Sequence, residues 1–190
     1  MKIGIYSGSF DPIHIGHAMI ANYLSQYCGL DEVWLMPSPL NPLKLDALPA
    51  EVDHRMNMAR IVAGKCCDVK VSDYELSLPS PSYTYRTLCS LKRDWPEHDF
   101  TLVIGSDNWR EFHRWKNPDK IIREFSILIY PRPGYEIEEK LPDRVSIVRE
   151  APQALISSTF IRDGIRSGKN MNFFLDPEVA DYIIKHKLYE

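Results

Sequence analysis

The stretch Gly8-Ser9-Phe10-Asp11-Pro12-Ile13-His14-Ile15-Gly16-His17 decides how this chain folds and what it can bind. It follows an apolar run, residues 3–6, that is typical of a buried strand. It precedes a helical pattern whose apolar residues recur on one face, at Ile20, Ala21, Leu24, Tyr27 and Cys28. A strand, a glycine-containing loop and a helix N-terminus form an anion site, because backbone N–H groups point outward and the helix dipole favours negative charge. The stretch therefore predicts phosphate chemistry on a nucleotide.

Two imidazoles stand three residues apart in this stretch, at His14 and His17. At a helix N-terminus they are well placed to hold phosphate oxygens. Gly16 between them permits close approach of the backbone to a ligand, because glycine has no Cβ. Two other interpretations are open from these residues alone: the histidines could cap the helix or pack in the core, or they could bind zinc. Zinc is disfavoured because no nearby cysteine or carboxylate triad completes a tetrahedral site.

The composition is that of an ordinary globular protein. The 190 residues suit one domain, residues 1–190, and a hydrophobic fraction of 44% supplies a full core. A net charge of −3 gives no electrostatic reason to expect nucleic acid or a membrane as a partner. No apolar run approaches the ~20 residues that span a bilayer, and the first residues indicate a strand rather than a signal peptide. The four cysteines form no C-x-x-C pair, which favours reduced thiols and a cytoplasmic location.

Apolar strands alternate with helical patterns along the chain. The predicted strands are residues 3–6, 32–36, 69–71, 100–104, 126–130 and 145–148. Helices are predicted after the first strand, over 52–63 and 83–93, from near Ser157, and from Asp176-Pro177, where an N-cap precedes a proline at the first helical position. This alternation predicts an α/β fold: a single Rossmann-like, doubly wound, mostly parallel sheet with helices on both faces.

Candidate functional residues follow the predicted strands. His14 and His17 come after the first strand, Lys44 after the second, Asp107 after the fourth and Arg132 after the fifth. Open α/β sheets bind their ligands outside the carboxyl ends of the strands. We therefore expect one cleft to collect these side chains.

The stretch from Gly8 to His17, the signature stretch, resembles the H-x-G-H motif of the nucleotidyltransferases, in the version found in bacterial nicotinate-nucleotide adenylyltransferases. A second block, residues 156–162 with the sequence I-S-S-T-F-I-R, is similar to the I-S-S-T-x-I-R motif of that family, in which a helix start and an arginine bind ATP phosphates. Taken alone, Ser157-Ser158-Thr159 would be an ordinary helix cap. The matches run from about residue 4 to residue 189, and the resemblance implies a fold of the nucleotidyltransferase type.

Further blocks match the same family. Residues 81–84 resemble the loop that receives the pyridine end of the acceptor, residues 104–107 the strand-end motif on the adenosine side, and residues 132–135 the R-P-G-Y turn. Trp115 stands where the family carries an aromatic that stacks on the pyridine ring, although a tryptophan is more often plain core. The loop after the second strand departs from the family's frequent P-P-H-K, because it is Asn41-Pro42-Leu43-Lys44. Its lysine is either a phosphate ligand or a solvated loop residue.

The resemblance implies transfer of the AMP part of ATP to nicotinate mononucleotide, with release of pyrophosphate and formation of deamido-NAD, the precursor of NAD. It implies Mg²⁺ carried by the ATP phosphates and no metal held by the protein alone. The catalytic residues that it assigns are His14, His17 and Arg162. The ATP-binding residues are Gly8, Ser9, Phe10, His14, Gly16, His17, Gly105, Asp107, Ser157, Ser158, Thr159 and Arg162. The acceptor-binding residues are Lys44, Tyr83, Thr84, Tyr85, Trp115 and Arg132.

Two rival functions stay open from the sequence. One is another H-x-G-H adenylyl- or cytidylyltransferase, such as pantetheine-phosphate adenylyltransferase. The other is a non-catalytic nucleotide-binding sensor built on the same fold. For the acceptor, Thr84 and Tyr85 lie at the start of a predicted helix, where backbone N–H groups favour a carboxylate. This favours nicotinate over nicotinamide as the acceptor's ring. A homo-oligomer also stays open.

Overall fold

A computed structural model describes residues 1–39 and 50–190. Its strands form one sheet and are β1 (Lys2–Gly8), β2 (Glu32–Pro37), β3 (Val69–Val71), β4 (Asp99–Gly105), β5 (Ser126–Tyr130) and β6 (Val145–Ile147). In this described part of the chain the strand order is β3-β2-β1-β4-β5-β6, and every neighbouring pair is parallel. The predicted α/β fold is confirmed, and the sheet is wholly rather than mostly parallel.

Helices cover both faces of the sheet. They are α1 (Ile15–Tyr27), α2 (Val52–Ala63), α3 (Thr84–Asp94), α4 (Ser106–Arg110), α5 (Pro118–Glu124), α6 (Ser158–Arg166) and α7 (Pro177–Lys185). Strand side chains alternate between faces, so Ile3 and Ile5 of β1 lie in one apolar core and Tyr6 lies in the other. Helices α1, α2, α6 and α7 pack on the Tyr6 face, and α3 and α5 pack on the Ile3 face. None of the helices in the described residues is long and apolar enough to cross a membrane.

The predicted strands agree with the observed ones to within two residues at each end. The prediction missed the helices between β4 and β5. A connection between parallel neighbours must return the chain to the end of the sheet where the first strand began. Helices α4 and α5 form this crossover between β4 and β5. Both helices are short, which leaves few apolar repeats from which to detect them.

The strand order reverses direction between β1 and β4. The chain leaves Gly8 at the end of β1 toward α1 on one face of the sheet, and it leaves Gly105 at the end of β4 toward α4 and α5 on the other. Where two such connections part, a crevice forms outside the carboxyl ends of the strands. The fold therefore places the signature stretch at the mouth of this crevice.

Candidate active site

A cleft of about 1310 Å³ opens outside the carboxyl ends of β1 and β4, where the connections that follow them part. Its walls are the loop after β1, the first residues of α3, the segment around α4, the turn after β5, the start of α6 and the chain terminus. Among the predicted site residues it brings together Gly8, Ser9, Phe10, His14, His17, Tyr83, Thr84, Asp107, Trp115, Arg132, Ser157, Ser158, Thr159 and Arg162. Lys44, with the sequence departure at Leu43, lies outside the described residues.

His14 caps the N-terminus of α1. Its carbonyl accepts hydrogen bonds from the N–H groups of His17, at 2.9 Å, and Ala18, at 3.1 Å. Its side chain is buried, and its Nδ1 has no hydrogen-bond partner. Burial, helped by the nearby charge of Arg132, lowers the pKa of His14 to about 3. The imidazole is therefore neutral near neutral pH.

His17 lies directly over the ring of His14. The two imidazoles stack with centroids 3.7 Å apart, and the ring of Phe10 meets His17 edge-on at 5.1 Å. The backbone N–H of His14 donates to His17 Nδ1 at 3.2 Å. Because that ring nitrogen must accept, the neutral imidazole of His17 carries its proton on Nε2. The loop thus fixes both the orientation and the tautomer of His17.

Gly16 makes room for the ring of His14. A Cβ built at this position would lie 3.1 Å from both Nδ1 and Cε1 of that ring. Ordinary carbon contacts are about 3.5–4.0 Å. The glycine in H-x-G-H therefore has a packing reason here, beside the close backbone approach expected from the sequence.

The loop between β1 and α1, residues 9–14, is called the signature loop here. It is held by a buried arginine that was not predicted from the sequence. Arg55 of α2 donates through Nη1 to the carbonyls of Ser9 and Ser38, each at 2.8 Å, and through Nε to the carbonyl of Ala50 at 2.9 Å. Phe10 adopts a left-handed conformation, with φ of 46°, that is unfavourable for a side chain of its size. Strain of this kind persists where surrounding contacts fix the backbone, as Arg55 does on the preceding residue.

Helix α6 is joined to the same loop by two hydrogen bonds. Ser158 Oγ donates to the carbonyl of Pro12 at 2.9 Å, and Arg162 Nη1 donates to the carbonyl of Asp11 at 2.7 Å. The Ser157 side chain accepts the N–H of Phe160 at 3.1 Å and so caps the helix. Segments nearly 150 residues apart in sequence therefore meet at one end of the cleft, which is the convergence expected from the two motifs.

Asp107 and Arg132 meet at the other side of the signature loop. Arg132 Nε lies 3.9 Å from Asp107 Oδ1, and neither atom has a hydrogen-bond partner. A Cβ at Gly105 would lie 2.2 Å from the same carboxylate oxygen, so only glycine leaves space for Asp107 in this position. The backbone N–H of Arg132 donates to Ser106 Oγ at 2.8 Å, which ties the ends of β4 and β5 together. Arg132 thus contacts the residue expected to bind adenosine, and its acceptor role stays a prediction.

The predicted acceptor residues divide between the cleft and its exterior. Tyr83, Thr84 and Trp115 line the cleft. Trp115 packs on Phe112 at 5.1 Å, and its buried Nε1 has no hydrogen-bond partner. The side chain of Tyr85 is not part of the lining, because its hydroxyl donates to Glu124 of α5 at 3.0 Å. At Tyr85 only the backbone N–H at the start of α3 is available for the predicted role.

A buried carboxyl group that the sequence did not reveal also lines the cleft. Glu75 receives hydrogen bonds from the hydroxyls of Ser7, at 3.3 Å, and Thr87, at 3.2 Å. Burial raises the pKa of Glu75, and these hydroxyl donors oppose the shift. The bonds connect the end of β1 to α3 and so fix the acceptor side of the cleft relative to the signature loop.

Within residues 1–39 and 50–190, no three His, Cys, Asp or Glu side chains cluster closely enough to hold a metal ion. Two carboxylates of the cleft already have partners within the protein. Asp11 accepts from the hydroxyl of Tyr189 at 2.7 Å and lies 3.6 Å from Arg162, and Asp107 faces Arg132.

Known proteins resemble this chain over nearly its whole length. A family model described as "Cytidylyltransferase-like" matches residues 5–164. Two relatives named "Probable nicotinate-nucleotide adenylyltransferase" are similar: one from Bacteroides fragilis (strain YCH46) is 46% identical, covering 97% of this chain and 92% of its own, and one from Bacteroides thetaiotaomicron is 47% identical, covering 96% and 91%. The solved structure "Plasmodium falciparum nicotinic acid mononucleotide adenylyltransferase complexed with NaAD" superposes with a TM-score of 0.86 at 27% identity, covering 99% of this chain and 97% of the other. The chain therefore belongs to the cytidylyltransferase-like family and, within it, to the nicotinate-nucleotide adenylyltransferases.

Proposed function

We propose that this protein transfers the adenylyl group of ATP to nicotinate mononucleotide, giving deamido-NAD and pyrophosphate in the biosynthesis of NAD. The observation that carries the proposal is the meeting of His14, His17 and Arg162 around one cleft, on segments joined by the Ser158–Pro12 hydrogen bond. The relatives named for this activity support the choice of substrates.

The reaction needs no covalent enzyme intermediate. A phosphate oxygen of the acceptor attacks the α-phosphorus of ATP and forms the new P–O bond. The bond from that phosphorus to the bridging oxygen breaks in line, and its electron pair leaves with pyrophosphate. Catalysis of such a transfer depends on positioning and on stabilising charge in the transition state.

The paired imidazoles suit the α-phosphate. His17 presents an Nε2–H, because its Nδ1 is occupied by the His14 backbone, and this N–H is our choice for the donor to the α-phosphate in the transition state. The ring of His14 is buried and neutral. A neutral imidazole carries one N–H, so this ring supplies a second donor for a phosphate oxygen. An anionic phosphate beside it would raise the pKa of His14 again, so ligand binding and proton uptake are coupled at this ring.

The start of α6 suits the departing pyrophosphate. The N–H groups of Ser158 and Thr159 belong to the first helical turn, where no partner exists within the helix, and the dipole favours negative charge there. Arg162, one turn later, offers a guanidinium that can bind phosphate oxygens through two N–H groups. Together these donors are expected to hold the β- and γ-phosphates.

Mg²⁺ is proposed to arrive with ATP. Asp107 and Asp11 of the cleft face Arg132, Arg162 and Tyr189, and an ion held mainly by phosphate oxygens and water fits such a site better than a protein cage does. The ion would neutralise part of the triphosphate charge.

On the acceptor side, Thr84 begins α3, and its first-turn N–H groups favour an anionic group. Tyr83 and Trp115 supply flat rings beside them. We therefore propose that nicotinate mononucleotide has a higher kcat/KM than the nicotinamide form.

We also propose a cytoplasmic location, supported by four unpaired cysteines. Analytical ultracentrifugation would decide whether a homo-oligomer forms.

An acceptor panel tests the proposal. ATP or CTP is combined with nicotinate mononucleotide, nicotinamide mononucleotide or phosphopantetheine, and both released pyrophosphate and product mass are measured. The expected result is fastest turnover with ATP and nicotinate mononucleotide. Faster turnover with phosphopantetheine or with CTP would assign a different transferase. Binding of ATP without pyrophosphate release for any acceptor would favour a sensor.

A further inference from the structure

The last residues of the chain are fixed against the cleft. Lys187 and Tyr189 adopt left-handed conformations, with φ of 50° and 68°, and Leu188 donates its N–H to the carbonyl of Ile183 at 3.1 Å. Leu188 and Tyr189 pack against the apolar core on the Tyr6 face of the sheet. Left-handed non-glycine residues persist only where contacts impose them. Residues 187–189 line the cleft and are therefore part of the site's architecture.

The hydroxyl of Tyr189 connects this terminus to the signature loop. It donates to Asp11 Oδ1 at 2.7 Å, across 178 residues of sequence. Burial, reinforced by the Asp11 carboxylate, raises the pKa of Tyr189, so the hydroxyl keeps its proton and remains a donor. The carboxylate of Asp11 is itself buried and accepts a second hydrogen bond, from the N–H of Ala50 at 3.2 Å.

Asp11 in turn holds Arg162. Its carbonyl accepts Arg162 Nη1 at 2.7 Å, and its Oδ2 lies 3.6 Å from the same nitrogen. Rotation of the Asp11 side chain would therefore move Oδ2 away from this guanidinium. Tyr189 contacts the opposite carboxylate oxygen and limits that rotation.

We infer that Tyr189 is a positioning residue for the adenylyl transfer: its hydroxyl fixes Asp11, and Asp11 holds Arg162 in the orientation that grips the departing phosphates. The inference rests on the proposed function. It assigns a role in the reaction to the second-last residue of the chain, which neither motif contains.

A purely structural role for Tyr189 makes a different prediction, and the chain offers a matched control. Tyr182 lies on α7, just before the same terminus, and its hydroxyl is bonded to His54 Nδ1 at 3.0 Å and to Asn57 Nδ2 at 3.1 Å. Those partners belong to α2, and Tyr182 does not line the cleft. Tyr182→Phe therefore removes an anchoring hydroxyl from the C-terminal segment without touching Asp11.

The experiment compares Tyr189→Phe and Tyr182→Phe with the unaltered protein. Steady-state kinetics are measured with each substrate varied, and thermal melting reports the fold. For Tyr189→Phe we expect kcat/KM for ATP to fall about tenfold, the scale of one hydrogen bond to a charged group, with KM for nicotinate mononucleotide changed less than twofold. For Tyr182→Phe we expect a lower melting temperature and unchanged kinetics. Equal kinetics for Tyr189→Phe and the unaltered protein, or equal losses in both variants, would overturn the inference.

A double variant tests the route through Arg162. In an Arg162→Ala background, Tyr189→Phe should change kcat/KM for ATP by less than twofold, because the group that it positions is already gone. A full tenfold effect in that background would overturn the route. The proposed function fails separately, because in that case the unaltered protein itself would release no pyrophosphate from ATP and nicotinate mononucleotide.

Discussion

Gly16→Ala should separate the activity of this protein from its stability. The added Cβ would lie 3.1 Å from the ring of His14, against about 3.5 Å for the closest ordinary contact, so the imidazole has to move by roughly 0.4 Å. The ring is buried and stacks at 3.7 Å on His17, so this movement also displaces the neighbouring imidazole or tilts the pair. Both rings are proposed to contact the reacting phosphates.

The kinetic magnitude follows from that displacement. A misplacement of about 1 Å in a catalytic constellation costs on the order of 10²-fold in rate. A shift of roughly 0.4 Å should therefore lower kcat about tenfold. Stability has two opposing contributions. Replacing glycine within α1 stabilises the helix by up to about 1 kcal/mol, and a displaced side chain costs about 0.5–1.5 kcal/mol. The free energy of unfolding should thus change by less than about 1 kcal/mol.

The assay is pyrophosphate release at saturating ATP and nicotinate mononucleotide, with urea unfolding of the same preparations. Gly64→Ala is the matched control, because Gly64 has helical dihedrals at the end of α2 and does not line the cleft. It should leave kcat unchanged. A Gly16→Ala protein with unaltered kcat would refute the packing argument, and one that loses several kcal/mol would show that the ring cannot yield at all.

Two further predictions concern the histidines themselves. His17→Ala removes a donor aimed at developing charge, so kcat should fall by ~10²–10³ while circular dichroism stays native; near-normal turnover in the folded variant would contradict the role. The pKa of His14 is lowered to about 3, so the unfolded chain binds one more proton than the folded protein between that pH and about 6.5. Stability should therefore be lost as the pH falls through this window, by up to about 1.4 kcal/mol per pH unit from this residue, and urea unfolding of His14→Gln should show a correspondingly flatter slope.

The sheet was predictable from sequence because its strands are continuous apolar runs. Residues 69–71 and 126–130 were placed with their observed bounds. Buried parallel strands expose neither face, so local composition alone identifies them. The short helices α4 and α5 have too few residues for periodicity to be detected, and their existence follows only from the parallel pairing of β4 with β5.

The chemistry of the site was predictable where residues are adjacent in sequence, as in the H-x-G-H stretch, and hidden where it depends on distant partners. Arg55 holds the carbonyl of Ser9 across 46 residues, and Tyr189 reaches Asp11 across 178. A single buried arginine or a tyrosine near the terminus has no periodic neighbour to indicate its partner. Such contacts act on backbone carbonyls or on a carboxylate that the motif does supply, so only the folded chain reveals them.

The charge of the cleft explains why geometry should dominate its catalysis. The chain carries a net charge of −3, and guanidinium groups near the phosphate end already have carboxylate neighbours: Arg162 lies 3.6 Å from Asp11, and Arg166 lies 3.1 Å from Asp163. A paired charge attracts little beyond the screening length of about 10 Å, so long-range attraction contributes little to capturing the triphosphate. Binding energy is then gained only on contact, when N–H and imidazole donors meet phosphate oxygens at the correct distance. Under that condition Gly16 affects the rate because it sets the position of the imidazole rings. A charged side chain affects the rate through its own bonds to phosphate.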